Sequence, residues 1–305
     1  MSLVIRQMSR GDLDIALGWG REEGWSPGLD DGDAFYAQDR SGFLMGWLEA
    51  EPIACISVVK YDPGFAFLGL YIVRPDWRGK GHGKAIWDAG IASAGGQTIG
   101  LDGVVAQQDN YRKSGFELAH RSARWGGVLS ASHDATDHLI EEVTPQSLGA
   151  VLAFDRECFP GARPDFLTAW LAPSTTRRSL WVREGDAVLG YGTIRQSVTG
   201  YKIGPLFART PQAASGLFAA LARHAQGAPI FIDVPPPTRP PSGWRRGLAL
   251  ARALRPPGCI VARLQPSWRS GSSGSRPSSS ADGSSCAEQS MITLEVRRGT
   301  DGART

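Results

Sequence analysis

Seven consecutive residues, Arg78-Gly79-Lys80-Gly81-His82-Gly83-Lys84, combine three glycines with three cationic side chains. Glycine lets a backbone approach an anion closely, and successive N–H groups at a helix N-terminus point at it. Between a strand and a helix such a run is a cradle for a phosphate or pyrophosphate. It is not a P-loop. That motif needs Gly five residues before its Gly-Lys pair and Ser or Thr after it, where this chain has Arg78 and Ala85. The dinucleotide fingerprint is not met either, because the glycine spacing differs and the loop follows antiparallel strands. Further on, Tyr111 precedes a Gly115-Phe116 pair at the end of a short helical stretch.

Arg78, Gly81 and Gly83 meet the pattern Arg/Gln-x-x-Gly-x-Gly/Ala, and Tyr111, Gly115 and Phe116 meet Tyr-x-x-x-Gly-Phe. In this order, these motifs resemble the acetyl-CoA loop and the following helix of the GNAT superfamily of N-acetyltransferases, over residues 3 to 126. The resemblance implies a GNAT fold, α/β (α+β), with a mixed, mostly antiparallel sheet flanked by helices. It implies acetyl-CoA as co-substrate, held by main-chain groups of Ile72 and Val73 along the pantetheine arm and by Arg78, Gly79, Lys80, Gly81, His82, Gly83 and Lys84 at the diphosphate. Transfer to an amine needs a neutral nucleophile, a proton acceptor and a donor to the oxyanion. The Val73 N–H is the oxyanion donor in this reading, and Tyr111 protonates the departing thiolate. Asp102 is the first candidate base and Glu22 or Glu23 the second. Glu23 and Trp25 stand where relatives close over the acceptor. Each residue also has a plainer reading: Tyr111 as packing, Asp102 as a turn cap before Gly103, His82 as a backbone donor, and Trp25 as the anchor of a rigid turn.

The elements that must position these groups follow from periodicity and turn signals. A strand at Leu3–Arg6 precedes a helix capped by Ser9 or Asp12 and running to Arg21, then a short helix at Asp33–Gln38. Strands at Gly42–Glu49, Ile53–Tyr61 and Ala66–Val73 form an antiparallel meander. The cradle opens a helix at Lys84–Ser93. Strand Thr98–Val105, a helix ending at Gly115 and strand Glu117–Trp125 close the first half. From Ile140 the same order recurs: helices from Thr144 and Asp165, strands at Ser179–Arg183, Val188–Gln196 and Tyr201–Phe207, a helix at Pro211–His224 and a strand at Pro229–Val234. This is an internal duplication. The second half has Gly204 and two prolines, Pro205 and Pro211, where the first has its cradle, and proline removes donors that a phosphate needs. The expected organisation is therefore a GNAT domain at 1–126, a linker at 127–139, a degenerate GNAT-like domain at 140–263 and a disordered Ser/Gly-rich tail at 264–305. Arg255 to Ala262 can be encoded so that a shifted frame reads Thr-Ala-Arg-Met-Tyr-Arg-Gly, which resembles the last strand of such C-terminal halves. The tail is on that reading a frameshift product.

Composition sets the outer bounds. In 305 residues, 33 Lys and Arg balance 30 Asp and Glu for a net +3, which argues against a nucleic-acid partner. No apolar run is long enough to span a bilayer, and the N-terminus has no apolar leader core. The four cysteines form no CxxC pair, and no metal ligand spacing is present. The expectation is a reduced, cytoplasmic, metal-independent N-acetyltransferase acting on a small-molecule amine. The alternatives are a non-catalytic acyl-CoA-binding regulatory module and a protein N-terminal or lysine acetyltransferase.

Overall fold

The structure is a computed structural model that describes residues 2–103, 108–117, 123–128 and 139–234. Most of the expected linker, the Ser/Gly-rich tail and the question of reading frame lie outside the described residues. The first half runs β1 (Val4–Gln7), α1 (Arg10–Glu22), α2 (Asp31–Gln38), β2 (Phe43–Leu48), β3 (Glu51–Tyr61), β4 (Phe65–Val73), α3 (His82–Ser93), β5 (Thr98–Leu101) and α4 (Gln108–Lys113). There follow β6 (Ala123–Gly127), β7 (Leu139–Glu142), α5 (Pro145–Cys158), α6 (Pro164–Leu171), β8 (Arg177–Glu184), β9 (Ala187–Ser197), β10 (Gly200–Ala208), α7 (Pro211–Ala222) and β11 (Ile230–Val234).

Two mixed sheets result. The first has the order β1-β2-β3-β4-β5, antiparallel except for the parallel β4–β5 pair. The second has the order β6-β11-β10-β9-β8-β7, with β10 and β11 parallel. Local chemistry explains the helix starts. Ser9 and Asp12 close a capping box on α1, and Leu13, Ala16 and Gly20 bury the face it turns inward. Thr144 caps α5 in the same way, and Thr210 accepts from the Ala213 N–H at the start of α7. Among the described residues no helix is long and apolar enough to cross a membrane.

The strand expected to close the first half is displaced. β6 leaves its own half and pairs antiparallel with β11 at the edge of the second sheet, from Val234↔Ala123 to Ile230↔Gly127. Arg124 holds it there with a two-pronged bond to Asp233, 2.9 Å at both oxygens. Sequence periodicity identifies a strand but not its partner, since pairing is decided by distant residues. The chain therefore crosses from one sheet to the other before residue 126, the expected boundary.

The five strands of the first sheet correspond in order to β7, β8, β9, β10 and β11 of the second, to which β6 is added. β3 and β9 each have 11 residues, and β4 and β10 each have 9. Both β4 and β10 lose register at the same place, beyond Gly69 and at Gly204. The registers align Val59↔Phe67 with Arg195↔Lys202, and Leu68↔Leu101 with Ile203↔Ile232. Asp102 and Asp233 then occupy equivalent positions, each one residue further along.

α3 covers one face of the first sheet, where Ile56, Ile86, Trp87 and Leu101 form its core. α1 and α2 cover the other. α7 covers one face of the second sheet, while α5 and α6 pack on the opposite face over Tyr191. The halves join where α2 meets α6, with Phe35 4.8 Å from Phe166 and 5.9 Å from Trp170, ring centre to ring centre. Burying one such ring contributes roughly 2–3 kcal/mol, so this contact outweighs any exposed ion pair, which contributes about 0–1.

Candidate active site

β4 and β5 run side by side only from Phe65–Leu68 against Thr98–Leu101. Beyond Leu68, β4 continues through Val73 while β5 stops, so the two strands open into a wedge. At the same point β4 bulges. Cys55 faces Ile72 and Ser57 faces Gly69, leaving Leu70 and Tyr71 opposite Ile56 alone. Leu70 takes φ 46°, a strained conformation for a side-chain-bearing residue, of order 1–3 kcal/mol. The buried Cys55 thiol donates to the Leu70 carbonyl at 3.0 Å, and burial pushes that thiol well above its ordinary pKa. It is a structural donor and not a nucleophile.

The bulge decides which amides face the wedge. The Arg74 N–H donates to the Ile53 carbonyl at 2.9 Å, which makes Ala54–Val73 a non-hydrogen-bonded pair. The Val73 N–H and C=O therefore turn away from β3 toward the open side. Ile72, opposite Cys55, turns its own groups toward β3. Of the two residues expected to meet a pantetheine arm through the main chain, Val73 presents its groups to the wedge. Ile72 does not, because adjacent residues of a strand alternate.

The cradle lies at the mouth of the wedge. Gly79 (φ 74°) and Gly81 (φ 87°) are both left-handed, and Gly81 is the residue from which α3 starts. Nothing lies within 4 Å of a Cβ placed on either, so backbone conformation and not space requires glycine. The helix begins at His82, two residues before the expected start, and the first amides of α3 have no intrahelical acceptor. Gly83 is glycine for a different reason. A Cβ there would sit 2.9 Å from the Tyr71 hydroxyl and 3.4 Å from Val73 Cγ2, so its absence lets the helix tip close on β4.

The cationic side chains are engaged within the chain. Arg78 donates through Nε to the Val73 carbonyl at 2.9 Å and through Nη2 to the Glu23 carboxylate. Lys80 stands 4.6 Å over the Trp77 ring, and Lys84 pairs with Asp88 one turn along α3. His82 meets the edge of Trp77 at 5.9 Å. The first backbone amides of α3 and its helix dipole are thus the fixed elements that could meet an anion here.

Trp87 organises the other side. It meets Tyr71 edge-on at 5.1 Å and stacks with Tyr111 at 5.9 Å. A Cβ on Gly103 would lie 2.4 Å from Tyr111 Cε2, so that glycine seats the tyrosine ring. Gly115 (φ 85°) ends the helical stretch that carries Tyr111. Tyr71, which lies against Gly83 and Trp87, is a residue that pattern reading overlooks, since an aromatic on an alternating strand looks like ordinary core. Burial, and secondarily Asp88, raises its hydroxyl pKa. Asp102 follows directly on β5 beside Gly103. Its counterpart Asp233 is a structural carboxylate bound by Arg124.

Trp25 follows α1, its backbone N–H bonded to the Gly20 carbonyl at 2.8 Å and its ring packed with Leu70 over Gly20. The α1–α2 segment is covered by the β9–β10 hairpin of the second half. Ser26 and Thr199 hydroxyls meet at 2.9 Å, and the Leu29 N–H donates to the Gln196 carbonyl at 3.0 Å. The equivalent region of the second half is filled from within. Asp155 forks to Arg163 at 2.6 and 2.9 Å and accepts from the Tyr191 hydroxyl, all three buried. The start of α7 offers fewer donors as well, because Pro211 has no N–H and the Ala213 N–H is taken by Thr210.

Two family models match the chain: Acetyltransferase (GNAT) family over residues 14–116 and Acetyltransferase (GNAT) domain over residues 151–257. A holothin acyltransferase of Pseudoalteromonas sp. (strain SANK 73390) is 34% identical over 225 residues, 73% of this chain and 76% of that protein. Among solved structures, a Pyrococcus horikoshii chain assigned as an acetyltransferase superposes with a TM-score of 0.64 at 18% identity, covering 86% of this chain and 89% of its own. A tandem GNAT protein from the clavulanic acid biosynthesis pathway gives 0.58 at 11% identity, covering 86% and 98%. At these identities the structural matches bear on the fold alone.

Proposed function

The chain belongs to the GNAT family as a two-domain acyltransferase, and from that premise we propose that it transfers acetyl from acetyl-CoA to a primary amine of a small molecule. The observation that carries this reading is the wedge between β4 and β5, with the Val73 amide on its open side and the left-handed glycines of α3 at its mouth. In this reading the α3 amides hold the diphosphate and the Val73 edge aligns the pantetheine arm as a strand would. The amine attacks the thioester carbonyl directly. The Val73 N–H stabilises the oxyanion and Tyr111 gives a proton to the leaving thiolate. A carboxylate takes the proton of the amine. Glu23 is the one the geometry supports, since Arg78 ties it to the end of β4, and Asp102 is the alternative.

A small acceptor is supported by the name of the 34%-identical relative, an acyltransferase of holothin. It is also supported by the hairpin that covers the α1–α2 segment, which leaves less room for a protein tail. We assign the second domain no turnover of its own, because Asp155, Arg163 and Tyr191 fill its equivalent region. The test is thiol release from acetyl-CoA across a panel of small amines. Release with at least one amine is the expected result. Tight CoA binding with no release across the panel would identify a sensor instead.

A further inference from the structure

Three cations stand abreast on one face of the second sheet. Arg177 on β8 is opposite Arg195 on β9, and Arg195 is opposite Lys202 on β10, so all three share a face. Arg177 donates to Asp30 at 2.8 Å and Arg195 to Asp31 at 3.0 Å, both acids belonging to the segment at the start of α2. On the other side of Lys202, Arg124 is matched by Asp233. Lys202 is 5% exposed, and among the described residues its ammonium group has no hydrogen bond and no ion pair of its own. The fold does not require this charge. The equivalent pair in the first half, Val59 and Phe67, packs in an apolar core. A buried amine either gives up its proton or is matched by an anion, and the nearby Asp31 and Asp233 are already engaged by Arg195 and Arg124, which leaves room for an anion from elsewhere.

The position points to the source. Two parts of the first half lie near the wedge: the α1–α2 segment carrying Glu23 and Trp25, and α4, which carries Tyr111 and precedes β6 in the chain. The α1–α2 segment reaches this face of the second sheet through Asp31, and β6 reaches it through Arg124. Lys202 stands on β10 between Arg195 of β9, which holds Asp31, and β11, whose Asp233 is held by Arg124 of β6, and so lies between the α1–α2 segment and β6. We propose that Lys202 determines acceptor specificity: from the second domain it receives a carboxylate carried by the acceptor amine. This rests on the acyl-transfer reading given above. Burial, with Arg195 and Arg124, pushes the ammonium pKa of Lys202 down to about 7, and an arriving carboxylate would favour its charged form.

The test compares γ-aminobutyrate, and ω-amino acids one and two methylenes longer, with their carboxamides. Binding to the full chain saturated with CoA is measured by calorimetry, and thiol release from acetyl-CoA is followed in parallel. At least one acid is expected to bind tenfold or more tightly than its amide. Lys202→Met, which keeps the bulk and removes the charge, is expected to erase that preference and leave CoA affinity within twofold. Lys202→Gln provides a second variant if the first does not fold, and the wild-type comparison stands without either. Equal affinity for acid and amide, no binding by the acids, or a preference that survives in either folded variant overturns the proposal. Absence of thiol release from all the amines counts against the acyl-transfer reading, while the calorimetric preference is read separately.

Discussion

Adding one methyl group at the tip of α3 separates the role of the cradle from the stability of the fold. In Gly83→Ala the new Cβ meets the Tyr71 hydroxyl at 2.9 Å, so one of the two must withdraw by roughly 0.5 Å to reach an ordinary contact. The tyrosine ring is braced by Trp87 at 5.1 Å, so the helix tip takes much of the shift. Alanine is the better helix former by up to about 1 kcal/mol, which offsets the strain and leaves Tm nearly unchanged. The ligand has no such compensation. Lengthening one or two charge-assisted N–H bonds to a phosphate removes part of the roughly 1.5–3 kcal/mol each contributes. The expected loss is about 1.4 kcal/mol, a tenfold higher Kd for CoA. Adding Tyr71→Phe removes the colliding oxygen and leaves Val73 Cγ2, at 3.4 Å, as the nearest neighbour, so the double variant should recover most of the affinity. Isothermal titration with CoA, alongside thermal melts of all four proteins, reads the cycle. An unchanged Kd in Gly83→Ala, or a double variant no better than the single, refutes the placement of the diphosphate at this helix tip.

Tyr111→Phe should lower kcat by about 100-fold with little change in the KM for acetyl-CoA, measured by thiol release, if its hydroxyl is the acid. Gly103→Ala should reproduce that fall by displacing the ring, because the added Cβ comes within 2.4 Å of Tyr111 Cε2. Arg163→Met should destabilise the protein by about 3–5 kcal/mol in a denaturant titration, since it leaves Asp155 buried with its main partner gone. Lys202 predicts a pH signature. Its folded pKa lies below the ordinary 10.5, so the unfolded chain binds the extra proton first as pH falls. Relative to Lys202→Met, the wild type should lose about 1.4 kcal/mol per pH unit between about 10.5 and about 7, with no further loss below. Chemical denaturation across that range checks it, and a constant gap would contradict the burial of the amine.

The parts of the site that sequence reasoning reached are local. Glycines at 79 and 81 announce a backbone conformation, and the order of strands around them limits what the loop can be. Tyr111 is recognisable because Gly115 and Phe116 follow it at fixed offsets. Contacts between distant residues were not readable in this way. Glu23 and Arg78 are 55 positions apart, and nothing in either neighbourhood predicts their pairing. Lys202 alternates with apolar residues on a strand, the pattern of a lysine facing water, until the α1–α2 segment is seen lying over that face. Ile72 shows the converse case: a bulge of one residue decides which main-chain groups are available, and that register is invisible to side-chain patterning.

The crossing of β6 has a consequence for how this protein can be handled and how it could have changed over time. A duplicated chain is ordinarily modular, and either copy can be cut out, swapped or lost. Here the edge of the second sheet is made from residues that belong, by order in the chain, to the first copy. Expression of the second half from the linker onward would expose the Ile230–Val234 edge and strip Asp233 of Arg124. Ending the chain after the last motif of the first half would take away α6, on which α2 packs Phe35. The second sheet is therefore completed at its β11 edge by a strand that precedes the expected boundary, and a cut at that boundary breaks the sheet and not a linker.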